Sequence, residues 1–232
     1  EVDVLNAPGV INSYKQLEAV EAALTPEWES AFDKGGFKLL AWGETGQYRW
    51  FAKNAINKPS DIKTMRPWVW PASYSQKEIF RVLGANGVPL GVPEVYGALQ
   101  TNMVDMVINT SVAMVALQWH ASLKHVTERT SGVLVGAMLM KSDKWASMPP
   151  EVQSHVRDEI TKNTAGDKQD MRSADERSYQ TLIKHGYIVD KWDAAAEKEY
   201  DTMAESVRKA LVGRVFSADL LARAMKTAAS AK

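Results

Sequence analysis

Apolar positions in the first part of the chain change period twice. Residues 12–35 carry them at helical spacing, with Ser13 placed to cap a first helix (YKQLEAVEAAL) and Thr25-Pro26-Glu27 placed to start a second. Gly35-Gly36 ends this stretch. Residues 37–42 (FKLLAW) read as a short apolar strand, Gly43-Glu44-Thr45-Gly46 as a turn, and residues 48–53 as a second extended segment. Pro59-Ser60-Asp61 begins a turn that leads into KTMRPWVWP, residues 63–71, where two tryptophans stand two positions apart between prolines. On a strand, residues i and i+2 share a face, so Trp68 and Trp70 are expected to look the same way.

Farther on, residues 73–83 form an amphipathic helix ending at Gly84, followed by a strand at 88–90, a helix from Pro93 and a strand at 104–108. Strands and helices alternating through short links predict an α/β unit with parallel strands. Residues 111–124 read as helical, and 132–140 (GVLVGAMLM) as a strand buried by its continuous apolar content. From Pro150 the chain is mainly helical: one long polar-faced helix over 151–185, a strand at 187–189, and helices near 193–212 and 217–229. The fold class is mixed α/β with a helical C-terminal third.

Composition narrows the function. The chain has 232 residues, 45% of them hydrophobic, enough for one large domain or two lobes. Basic and acidic residues balance at 28 each with no long run of one sign, which argues against nucleic acid as a partner. No apolar run is long enough for a spanning helix. The absence of cysteine excludes disulfides, thiolate nucleophiles and cysteine-based zinc sites. Glu1 is not preceded by a charged-then-apolar leader, so the expectation is that an export signal has already been removed.

Few motifs carry chemistry. Gly43-Glu44-Thr45-Gly46 lacks the Gly-Lys-Ser/Thr ending of a phosphate-cradling loop. His120 and His125, five apart, do not share a helix face, so no metal site is expected. The run KQDMRSADER at 168–177 mixes signs and reads as a solvated helix face. No nucleophile elbow or Ser/His/Asp spacing stands out, so catalytic residues and cofactors are not expected.

One series of motifs is more specific. Pro59-Ser60-Asp61-Ile62-Lys63-Thr64-Met65 is followed by Leu83-Gly84-Ala85, Val88-Pro89-Leu90, Glu94-Val95-Tyr96-Gly97-Ala98-Leu99-Gln100-Thr101-Asn102, Val104-Asp105, and Trp145-Ala146-Ser147-Met148-Pro149 before the long helix. In order and spacing this resembles the substrate-binding subunits of TRAP transporters, the DctP-like extracellular solute-binding proteins. The resemblance implies a two-lobed α/β clamshell closing on a small molecule, with the 150–184 helix spanning both lobes. It implies lobe one at 1–45 and 135–174, incomplete at its N-terminus, and lobe two at 46–134 and 175–232. It further implies a periplasmic location and delivery to membrane permease subunits; a dimer is left open.

Aligning Asp61-Ile62-Lys63 with the family motif puts Trp68 where relatives carry an arginine that forks onto the ligand's carboxylate. A second family arginine aligns with Tyr48, beside Arg49, while the family asparagine is kept as Asn109 and Met106 and Ile108 replace a glycine and a glutamate. Tryptophan offers one N–H and a wide apolar face but cannot neutralise a carboxylate. The expected ligand is therefore neutral, aromatic or lipid-like, held by Trp68, Tyr48 and Asn109, with Trp70, Val92 and Arg66 nearby. One alternative is an organic acid held by Arg66, two residues before Trp68. Another is a sensor or partner module in a lipid-trafficking assembly. An enzyme would need an acid–base pair in the cleft.

Overall fold

The computed structural model describes residues 1–231; Lys232, the last residue of the second lobe's expected range, lies outside the described residues. A 3-10 turn (Val2–Asn6) precedes helix α1 (Tyr14–Lys34), whose first turn is capped where the Ser13 hydroxyl accepts from the Gln16 N–H at 3.2 Å. The expected break at Pro26 is absent, and α1 is one helix. The missing proline N–H is offset by anchoring on both sides of it. Thr25 Oγ1 accepts from Trp42 Nε1 at 2.8 Å, and the Trp28 ring meets Trp42 edge-on with centroids 5.4 Å apart.

Strand β1 (Phe37–Gln47) runs through the glycine-rich tetrapeptide that its sequence marks as a turn. A register shift between Glu44 and Gln47 absorbs the glycines, because the antiparallel partner strand at 133–141 supplies ladder bonds on either side. Strand β2 (Arg49–Ala52) follows at once. After a 3-10 turn (Pro59–Thr64), only Trp68–Val69 of KTMRPWVWP forms a strand, β3. Pro67 has no N–H to give, and the Trp70 N–H bonds the Gln76 side chain at 2.9 Å, so the chain leaves the sheet there.

Helix α2 (Tyr74–Leu83), strand β4 (Val88–Pro89), helix α3 (Val92–Gln100) and strand β5 (Met106–Asn109) complete the α/β unit. Strand β3 pairs parallel with β4, and Pro67 bridges parallel to Met106. The helix expected over 111–124 stops early: α4 covers Ser111–Ala116, Gln118 turns left-handed at φ 59, and a 3-10 turn follows at Trp119–Ser122. This break lets the Trp119 ring drop against Trp68, centroids 5.1 Å apart. Strands β6 (His125–Thr127), β7 (Val133–Lys141) and β8 (Ile188–Asp190), the short helix α5 (Ser142–Ala146), and helices α6 (Pro150–Lys184), α7 (Ala194–Leu211) and α8 (Ala218–Ser230) make up the rest.

The main sheet has the order β5-β2-β6-β8, with β2 antiparallel to its neighbours. All four β2 residues are buried because each face carries a core. Trp50 and Ala52 join Met106 and Ile108 beneath α2 and α7, whereas Phe51 joins Val107 and Val126 beneath α3, α4 and the end of α6.

The structure corrects two further expectations. Strand β7 forms, but it is not buried: Met138 is 53% and Leu139 40% exposed, and as strand neighbours they face opposite ways, so the two-stranded β1–β7 sheet is open on both sides there among the described residues. The 168–177 run is not simply solvated. Lys168 and Arg172 turn inward because α1 and β1 present acidic groups to them, Glu21 to Lys168 at 2.7 Å and Glu18 and Glu44 to Arg172, while Asp175 turns inward to accept from the Gln47 and Val112 N–H groups. No described helix is long and apolar enough to cross a membrane.

Candidate functional site: an aromatic cavity beside the long helix

A cavity of about 390 Å³ opens where the β1–β2 junction, β3, α4 and α6 converge. Trp68, Trp70, Tyr48, Val92 and Asn109, five of the six residues singled out from sequence, line it together. Each is placed by local structure. Trp68 sits on β3, buried to 4%, with its ring NH donating to the Leu90 carbonyl at 2.9 Å. Its polar edge is therefore already engaged by backbone. Trp70, just past the strand, is 45% exposed. Tyr48 is fixed by its backbone, whose N–H donates to Gly132 O and whose carbonyl accepts from Ser131 N, both at 2.9 Å. Burial pushes its phenol well above the usual tyrosine range, so it stays protonated. Val92 opens α3.

Asn109 ends β5 at the mouth of α4, a strand end followed by a helix start, which is where open α/β sheets hold ligands. Its Oδ1 accepts from the Thr110 N–H at 2.9 Å, and among the described residues its amide nitrogen has no partner. Thr110 in turn caps α4 by accepting from Ala113 N at 3.3 Å. Gln76 Oε1 holds Trp70 N, and Gln76 Nε2 donates to Ile108 O at 3.4 Å. The lining includes no Asp, Glu, Lys, Arg or His.

The nearby arginines are committed elsewhere. Arg66 does not line the cavity: its Nε and Nη2 donate to Asp105 Oδ2 at 3.0 and 2.8 Å, and its backbone N–H takes the other carboxylate oxygen at 2.6 Å. Arg49, next to Tyr48, is buried and does not line the cavity: it is stacked 3.9 Å over the Tyr179 ring and bonded to the carbonyls of Thr127 and Glu128. Arg172 is held by Glu44 and Glu18.

Sequence reading did not single out Thr45, Gln76, Thr110, Val112, Leu134 or Met171 as part of this wall. A signal existed for one group: Asn109-Thr110-Ser111 joins a strand to a capped helix, and that junction forms the cavity floor. Met171 had none, because a methionine inside a charged run gives no sign of which way it faces.

One turn after Met171, Asp175 ties the walls together. Its carboxylate accepts from Val112 N and Gln47 N, each at 3.0 Å. Burial raises its pKa, and the N–H donors of Val112 and Gln47 oppose that rise. The backbone at Gly46, φ +117, passes so close that a Cβ there would lie 2.6 Å from both carboxylate oxygens.

Residues 1–212 match the model of bacterial extracellular solute-binding proteins, family 7 (DctP). The chain belongs to that family. Membership places it among solute-binding proteins rather than enzymes. It is similar to the C4-dicarboxylate-binding periplasmic protein DctP of Vibrio cholerae, 23% identical over 180 residues that cover 76% of this chain and 54% of that one. The chain thus spans about half the length of that curated relative. Among solved structures it resembles a TRAP periplasmic solute-binding protein from Shewanella oneidensis with bound succinate, with TM-score 0.91, 18% identity and coverage of 98% of this chain and 74% of that one. It also resembles a Bordetella pertussis extracytoplasmic solute receptor binding pyroglutamic acid, with TM-score 0.87, 19% identity and coverage of 97% and 74%. At such identities the likeness carries the fold, a mixed α/β periplasmic-binding-protein clamshell with its long helix and helical C-terminus.

Proposed function

We propose that this family 7 chain captures a neutral solute with an aromatic or lipid-like face, outside the cytoplasm, for delivery to the permease of a TRAP-type transporter. The ligand sits in the aromatic cavity, between a lobe formed by 1–45 and 135–174 and one formed by 46–134 and 175–232. The observation that carries this reading is the absence of any charged side chain from the cavity wall. A carboxylate buried there without a cation would lose several kcal/mol of hydration with nothing to offset it. Trp68 and Trp70 offer ring faces, and the Asn109 amide and the Tyr48 hydroxyl offer the few polar contacts that orient a neutral ligand.

Relatives such as the Shewanella protein are described with bound organic acids, so the competing reading is an acid gripped by Arg66. That reading requires Arg66 to leave a two-pronged ion pair with Asp105, an arrangement worth more than a single surface contact. A thermal-shift and tryptophan-fluorescence screen of neutral aromatics against C4-dicarboxylates, 2-oxo acids and sialic acid separates the two. Neutral aromatics should stabilise the protein and the acids should not. Arg66→Ala should leave affinity for the neutral ligands unchanged and reduce stability by only about 1 kcal/mol, since half of its side chain faces solvent. Tight acid binding that disappears in Arg66→Ala would replace this proposal with the competing one.

A further inference from the structure

A second cavity, of about 480 Å³, lies between the β1–β7 ribbon and the middle of α6. It shares two of its lining residues, Thr45 and Met171, with the aromatic cavity. Those two residues therefore border both spaces. Along α6 the second cavity is walled by Thr164, Lys168 and Met171, spaced so that all three lie on one helix face. Across it, Gly43 of β1 stands directly opposite Gly136 of β7, and a Cβ added at either would meet nothing within 4 Å.

The charges of this groove are already balanced. Lys168 bonds Glu21, and Glu44 bonds Arg172, so no free cation waits for an anionic group. Asp167 is exposed at the solvent edge. Each space alone falls within the range of about 300–1,000 Å³ that holds small ligands. From Met171 to Thr164 the helix rises about 10 Å, the reach of roughly eight methylenes.

We infer that the two cavities form one elongated site, and that the ligand is a neutral ring-headed molecule bearing an aliphatic chain. The ring lies against Trp68 and Trp70. The chain passes between Thr45 and Met171 and lies over the Gly43–Gly136 pair beneath α6. This inference rests on the neutral-ligand reading above and specifies the rest of the molecule.

The test uses phenol and 4-alkylphenols of increasing chain length, titrated by tryptophan fluorescence below their micelle concentrations. In the unmodified chain each methylene up to about eight should tighten Kd about fourfold, after which the gain should level off. Gly43→Leu and Gly136→Leu, which fill the groove from positions with open space and do not line the aromatic cavity, should each abolish the gain with length and leave the Kd of phenol within about twofold. Circular dichroism and thermal melts establish that each variant is folded, and either folded variant suffices. If phenol binds but length brings no gain, or if the gain persists in a folded variant, the elongated site is wrong while the neutral-ligand reading stands. If no phenol binds at all, both fall together.

Discussion

Gly46→Ala is expected to reduce unfolding free energy by about 2–4 kcal/mol, among the largest effects of any single methyl group in this chain. Two causes add. The backbone at Gly46 has φ +117, a conformation that L side chains rarely adopt. The new Cβ would also lie 2.6 Å from both oxygens of Asp175, which cannot retreat because they hold Gln47 N and Val112 N. Gly43→Ala is the matched control three residues away on the same strand. Its Cβ meets nothing within 4 Å and its φ is ordinary, so it should be neutral or stabilise by up to about 1 kcal/mol. Urea denaturation of both variants checks this, and equal midpoints would mean that Asp175 does not pin the strand. Because Asp175 also joins α6 to the mouth of α4, Gly46→Ala should weaken ligand binding even where it remains folded.

Trp68→Ala should cost about 3–5 kcal/mol of stability, with ligand binding lost alongside. Trp68 is a core residue as well as a wall: it is 4% exposed, donates to Leu90 O and packs edge-on against Trp119. Trp70→Ala should separate the two roles. Its ring is 45% exposed and its backbone bond to Gln76 survives truncation, so stability should change by about 0.5 kcal/mol or less. Affinity should nevertheless fall tenfold or more, because half of the aromatic surface offered to the ligand is gone. Equal loss of stability in both variants would make Trp70 a structural residue. Unchanged affinity in Trp70→Ala would remove it from the wall.

The order of elements was legible from period and punctuation: Ser13 caps α1 as its residue type predicts, and helices begin at or next to Ser73, Ser111 and Ser217 where the spacing expects them. What sequence could not convey was context. Pro26 reads as a helix start, yet contacts from Trp42 and Trp28 carry α1 through it. Gly43-Glu44-Thr45-Gly46 reads as a turn until β7 supplies a partner for it. Continuous apolar content in β7 reads as burial from both sides, a property of how many strands the sheet has rather than of the strand. The charged run on α6 could be placed only once the acids of α1 and β1 were known to face it.

The site divided in the same way. Trp68, Tyr48 and Asn109 were legible because each stands at a position that the family's motifs mark. Arg66 was expected near the site, two residues before Trp68, where a longer strand would put it on the same face, but the strand is only two residues long and begins after it. Alternation therefore does not extend back to Arg66, and Asp105 takes it instead. Met171 and Asp175 became visible only in three dimensions.

The most direct measurement is calorimetric titration of the unmodified chain with a neutral alkylphenol and, separately, with succinate at the same pH and salt. The uncharged wall predicts saturable heat for the alkylphenol and none for succinate. Saturable binding of succinate tighter than that of any neutral aromatic, abolished by Arg66→Ala, would contradict it.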